Sequence, residues 1–370
     1  MKIGILTYHR AHNYGALLQA YALQNFLLGL GHEVSIIDYW PEYHSSDYVI
    51  FPKYPWMSFK SKIKRILLFC IGFIKIFKRR NGYIRFAIEQ FKLTKHPLFV
   101  TPEMVNTASY DLVIYGSDQI WTNQKHNSYK FTGFDEVYFG SYPGTLQKKI
   151  SYAASMGVID LSIEDCLFLE RTLKKFHAIS VREIELEKVI RERCNCEASL
   201  VLDPVFLLTK EKWRTLIPNI PPKKKYIFLY HLLHSEDAIL LTKRLEDYFG
   251  YKVLEIPGTN VNPCLISSRY KQTESPFGFL SLISNAEYVI STSFHGMAFS
   301  LIFEKQFYAL GMGANSGRAT SLLSLLGIQN RYIHNIDDAN YKEEINYKLV
   351  NNNINILREK SIDFIMKSML

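Results

Sequence analysis

His295 sits in the run Ser291-Thr-Ser-Phe-His-Gly-Met-Ala-Phe-Ser-Leu-Ile-Phe-Glu304, between a short apolar stretch and a dense one. Residues 286–291 predict a buried strand, and the chain from Phe294 predicts a buried helix capped by Ser291, Thr292 or Ser293. On the carboxyl rim of an open sheet, the free N–H groups of a helix N-terminus favour anions. An imidazole there can exchange protons with an anionic substrate near neutral pH; the competing reading is a histidine satisfied by backbone at a packed turn.

Two arginines fall at comparable places. Arg182 ends the strand predicted at 178–181, and Arg318 follows the glycine-rich Gly311-Met-Gly-Ala-Asn-Ser-Gly and opens another helix. Their planar donor forks suit carboxylate or phosphate, although Arg182 could equally pair with Glu183. Gly116-Ser-Asp-Gln-Ile-Trp121 follows a strand at 110–115 and sets Gly116, Ser117, Asp118 and Gln119 on the same rim. Asp118 could act as a base or accept from a sugar hydroxyl, or simply cap a turn. The loop Tyr8-His-Arg-Ala-His-Asn-Tyr-Gly15 adds His9, His12 and Asn13, with Tyr14 and other aromatics able to stack on a sugar.

These positions depend on a repeated strand–helix alternation. Strands at 2–7 and 34–38 flank a helix at 16–30, and a second series runs from the strand at 226–231 through helices at 236–249 and 276–285 to the His295 unit. The opening unit lacks the GxGxxG turn, so a dinucleotide is not expected. The expected fold is α/β, two Rossmann-like domains in a GT-B-like arrangement with a cleft between them. The first domain spans 1–205 with an aromatic-rich, basic excursion at 41–105; the second spans 206–338; 339–370 is terminal helix packing back across the first half. Asp203-Pro204, Pro218-Asn-Ile-Pro-Pro222 and Lys223-Lys-Lys225 read as domain punctuation.

The chain of 370 residues carries a formal charge of +9, but eight of its basic residues lie between Lys60 and Arg80, where no acidic residue occurs. Basic residues so concentrated do not make the broad face of a nucleic-acid binder. The enclosed segment, Ile66-Leu-Leu-Phe-Cys-Ile-Gly-Phe-Ile-Lys-Ile-Phe77, is too short to span a bilayer. It suits a helix lying in the interface of an anionic leaflet, or else a core helix with a basic rim. Five cysteines lack any disulfide or zinc spacing, which points to a reducing, cytoplasmic setting, and the N-terminus does not read as a signal peptide.

Taken in order, Gly4-Ile-Leu-Thr with Asn13-Tyr-Gly, Gly116-Ser-Asp-Gln-Ile-Trp121, Ser180-Val-Arg-Glu183, Leu202-Asp-Pro204, Ser293-Phe-His-Gly296 and the turn-helix from Arg318 to Gly327 resemble the polysaccharide pyruvyl transferase family. The resemblance implies transfer of pyruvate from phosphoenolpyruvate to a sugar of a cell-surface polysaccharide (capsule or exopolysaccharide) or its lipid-linked precursor. A ketal forms and phosphate leaves, with no metal and no cofactor beyond the phosphoenolpyruvate co-substrate. His295 matches the family's catalytic histidine, and Arg182, Arg318 and the turn from Ser293 to Gly296 fall where the donor is held. Asp118 would orient or deprotonate the acceptor, beside His12, Asn13, Tyr14, Gly116, Ser117 and Gln119. Many relatives have arginine where this chain has Phe294, and Lys305 could supply the missing charge if it turned toward the cleft. The rival readings are a nucleotide-sugar glycosyltransferase on the same architecture and a non-catalytic carbohydrate-binding or membrane-docked scaffold.

Overall fold

The computed structural model describes residues 1–45, 48, 58–94, 98–124, 131–143, 148–218 and 224–370. The proline-rich punctuation at 219–222, Lys223 and much of the excursion at 46–57 lie outside the described residues.

The first half runs β1 (Lys2–Leu6), α1 (Tyr14–Gly29), β2 (Glu33–Ile36), α2 (Glu42–Ser45), α3 (Phe59–Gln90), β3 (Leu112–Tyr115), β4 (Lys148–Ser151), α4 (Ile163–Leu173), β5 (Ser180–Val181), α5 (Ile184–Arg193), β6 (Ser199–Leu200) and α6 (Lys210–Arg214). Strands β2-β1-β3-β4 form a parallel sheet, which the β5–β6 pair continues through single bridges from Ile150 to Ala178 and from Ala154 to Val181. The second half runs β7 (Tyr226–His231), α7 (Glu236–Phe249), β8 (Lys252–Pro257), α8 (Pro276–Ser284), β9 (Tyr288–Ser291), α9 (Phe294–Ile302), β10 (Gln306–Ala309), α10 (Gly317–Leu325) and α11 (Tyr347–Met369). Its sheet is also parallel, in the order β10-β9-β7-β8. This is the expected α/β architecture of two Rossmann-like units.

Central strands such as β3, β7 and β9 are buried throughout, because helices cover both faces of a parallel sheet. Caps set several helix starts. Asn13 accepts from the Gly15 and Ala16 amides, and Ser162 and Asp165 form a reciprocal capping box on α4. The two halves share one apolar core, in which Tyr14 of α1 stacks on Phe279 of α8 at 4.6 Å. The segment at 340–346 is not helical; Asn346 caps α11, which runs back to the first half. There Arg358 donates to the Phe206 carbonyl and the Ser361 hydroxyl accepts from the Leu202 amide.

In each sheet the chain lays one strand beside the first and then crosses to its other side. The crossing points lie between β1 and β3 and between β7 and β9. Crevices at such points are where open α/β sheets bind ligands.

Candidate active site

A cavity of about 260 Å³ lies where the two crossing points face each other. The loop after β1 contributes Tyr8 and Asn13, the loop after β3 contributes Asp118 and Gln119, and the turn after β9 contributes Thr292, Ser293 and His295. Arg318 reaches it from α10, and Gln119 Nε2 donates to Asn315 Oδ1 at 2.9 Å across the two halves. Ser293 is the N-cap of α9, but its side chain caps nothing, so the first N–H groups of that helix are left for a ligand.

His295 is the second residue of α9 and only 7% exposed. Its Nε2 stands 3.6 Å from Asp203 Oδ2 and has no hydrogen-bond partner among the described residues. The other face of the ring presses on Gly15 of α1, where a Cβ would stand 2.0 Å from His295 Nδ1. Thus α1 of the first half fixes the imidazole of the second, and only a residue without a side chain leaves room for it.

Behind the histidine lies a buried cluster of three carboxylates and two guanidiniums. Arg182 donates to Asp203, to Asp118 at 3.2 Å and to the Ser117 hydroxyl at 3.4 Å, and its Nε lies 3.7 Å from Glu183. The Ser155 hydroxyl donates to Glu183, and Arg318 Nε lies 4.0 Å from the same carboxylate. Phe294 is the platform beneath both cations, with Arg182 5.3 Å and Arg318 5.6 Å from its ring centre. Phe294 therefore holds two arginines in place.

Electrostatics divide these groups. Burial opposes the charge on Asp203, yet His295 and then Arg182 hold its carboxyl well below the usual range. Asp118 is likewise held down against its burial by Arg182, then His295 and Arg318. Burial pushes the Glu183 carboxyl up. Burial, with Arg182 beside it, pulls Arg318 down to about 10, so it remains a cation at neutral pH. Arg182 and Arg318 thus stand among three buried carboxylates, two of which are held in the charged form.

Several positions differ from the sequence-based expectation. Arg182 does not face the cavity; its side chain is 1% exposed and committed to three carboxylates. Ser117 is fully buried and donates to the Ala153 carbonyl, while Gly116, at φ +122°, passes so close to the Tyr152 carbonyl that a Cβ would stand 2.4 Å from it. Tyr14 donates to the Glu274 carbonyl and packs between the halves. His12 stacks on Tyr83, and burial with Arg80 and Arg79 nearby lowers its pKa to about 4, which leaves it neutral. At Gly296 a Cβ would meet Ser291 Oγ at 2.1 Å, so this glycine allows α9 to close on β9. Lys305 follows α9 at the end remote from the cavity, where its carbonyl accepts from Tyr347. It does not replace the missing arginine.

Asp203, Glu183 and Gly15 were not among the expected site residues. Asp203 had a signal, the Asp-Pro after a strand, read above as punctuation. Asp203→Ala is expected to destabilise the fold by roughly 3–5 kcal/mol at neutral pH, because it strips Arg182 of a buried counter-charge. Since the folded pKa is depressed, the wild-type advantage is full above the ordinary carboxylate pKa of about 4 and is lost as pH falls through the folded value. Urea unfolding of both proteins across this range measures it.

A model of the family described as polysaccharide pyruvyl transferase matches residues 13–313. The chain belongs to the polysaccharide pyruvyl transferase family. Membership supports a transferase acting in polysaccharide modification. No curated protein is significantly similar in sequence. Among solved structures, the UDP-GlcNAc 2-epimerase from Neisseria meningitidis bound to UDP-GlcNAc is 13% identical, covering 99% of this chain and 100% of that one at a TM-score of 0.49. The UDP-GlcNAc 2-epimerase from Methanocaldococcus jannaschii is 10% identical, covering 97% and 93% at 0.44. A spinosyn forosaminyltransferase is 12% identical, covering 98% and 94% at 0.41.

Proposed function

We propose that the cavity transfers pyruvate from phosphoenolpyruvate to two hydroxyls of a polysaccharide sugar or of its lipid-linked precursor. The observation that supports this best is His295, held between Gly15 and Asp203 at the N-terminus of α9, with Arg318 on the same wall. Phosphoenolpyruvate brings a phosphate and a carboxylate, which suit the α9 N–H groups and the Arg318 guanidinium. His295 as imidazolium gives its proton to the methylene carbon while a sugar hydroxyl bonds to C2. The resulting tetrahedral carbon carries methyl, carboxylate, phosphate and the sugar oxygen. The neutral imidazole then takes the proton of a second hydroxyl, which bonds to this carbon as the C–O bond to phosphate breaks, and the departing phosphate takes the first hydroxyl's proton from Asp118, which yields the ketal and inorganic phosphate. Asp203 steadies the imidazolium, and Asp118, on the cavity side of Arg182, orients or deprotonates the acceptor. Arg182 fixes both carboxylates and does not itself grip the donor.

The same pair of crossing points could seat a nucleotide-sugar, and thermal unfolding separates the readings. Phosphoenolpyruvate at about 100 times its Kd is expected to add roughly 2.7 kcal/mol of stability, raising Tm. UDP- and GDP-sugars are expected to leave Tm unchanged. The reverse pattern would favour glycosyl transfer.

A further inference from the structure

We propose that the outward face of α3 docks the protein on an anionic lipid bilayer. The inward face of this 32-residue helix is fixed by Gly72 against Pro263, by Arg79 donating to the Gln272 carbonyl at 3.0 Å, and by buried Tyr83 and Phe86. At 3.6 residues per turn the side opposite these residues carries Ile63, Leu67, Ile71 and Ile74. They are 43, 58, 69 and 78% exposed, so the reading of this segment as a core helix does not hold. The apolar stripe runs for roughly 17 Å at the usual helical rise.

Charge decides the occupant. Between Lys60 and Arg80 the chain has eight basic residues and no acidic one. Arg79 is turned inward and Lys75 donates to the Leu265 carbonyl, but Lys60 and Lys78 are exposed near the two ends of the stripe. The side chains of Lys62, Lys64 and Arg65 lie outside the described residues. An apolar stripe in a basic frame fits the boundary of an anionic leaflet, where bases meet headgroups and apolar side chains enter the acyl region. No helix among the described residues is long and apolar enough to cross a membrane, so α3 lies in the interface plane. Arg80 donates to the Tyr48 carbonyl at 3.3 Å, and Tyr48 lines the cavity. Docking through α3 thus sets the cavity beside the bilayer. The proposal does not depend on the chemistry of that cavity.

The full-length protein is tested by co-sedimentation with vesicles of phosphatidylcholine alone or mixed equally with phosphatidylglycerol. The mixed vesicles are expected to retain at least about tenfold more protein, and raised salt to release it. Lys60→Glu with Lys78→Glu is expected to weaken partitioning roughly fivefold or more per position. Combined Leu67→Asn, Ile71→Asn and Ile74→Asn is expected to abolish it with an unchanged Tm. Should that variant unfold, a polarity-sensitive label on exposed Cys70, in a Cys264→Ser background, is expected to shift to the blue on mixed vesicles only. Equal retention by both vesicle types, or indifference to the lysine changes, would overturn the proposal. So would a concentration-dependent dimer that the asparagine changes dissolve while vesicles bind nothing, since the face would then belong to a second copy.

Discussion

Replacing His295 with asparagine is expected to lower turnover at least about 10²-fold while phosphoenolpyruvate still binds. Asparagine is smaller than the imidazole that fills the space against Gly15, so α1 and α9 keep their packing. On the proposed mechanism, what is lost is the group that gives a proton to the methylene carbon and faces the departing phosphate. Arg318 and the α9 N–H groups remain, and with them the affinity for the donor anion. Titration calorimetry with phosphoenolpyruvate and a phosphate-release assay separate the two properties. Normal phosphate release by the variant would remove His295 from the mechanism.

Gly15→Ala is expected to cost about as much, from a residue outside the cavity lining. Its methyl group would stand 2.0 Å from His295 Nδ1 and 2.6 Å from Cε1, so the ring or the helix must move. A shift of about 1 Å in a reacting group can cost on the order of 10²-fold in rate. The loss is expected in kcat, with KM for phosphoenolpyruvate nearly unchanged, and to shrink in a His295→Asn background because both changes act on one group. Equal losses in both backgrounds would mean that Gly15 supports only the helix.

These two residues also show what was legible in the sequence. His295, Asp118 and Arg318 follow strands or open helices, so local pattern alone set them on the rim. The strands were readable because parallel strands buried on both faces appear as short apolar runs. Gly15 was not readable as a site residue, because its meaning lies in a contact 280 positions away. Arg182 was correctly placed at a strand end, but its three carboxylates come from separate loops, and their spacing announces no cluster. The excursion at 41–105 gave away its charge and a helix around 66–77, but not that this helix runs from Phe59 to Gln90. Which face of α3 is outward depends on what Gly72 and Arg79 touch in the second half and on Tyr83 stacking against Tyr14 of α1.

Joining pyruvate to a sugar is the activity proposed for the groups between the two sheets. Its most direct measurement is the mass of a glycoside acceptor after incubation with the protein and phosphoenolpyruvate, alongside the phosphate formed. A glycoside heavier by one pyruvate less one water, with one phosphate released per glycoside modified, is the predicted result. Unmodified acceptor from a panel of lipid-linked and nitrophenyl sugars, or a sugar added when a UDP-sugar replaces phosphoenolpyruvate, would contradict it.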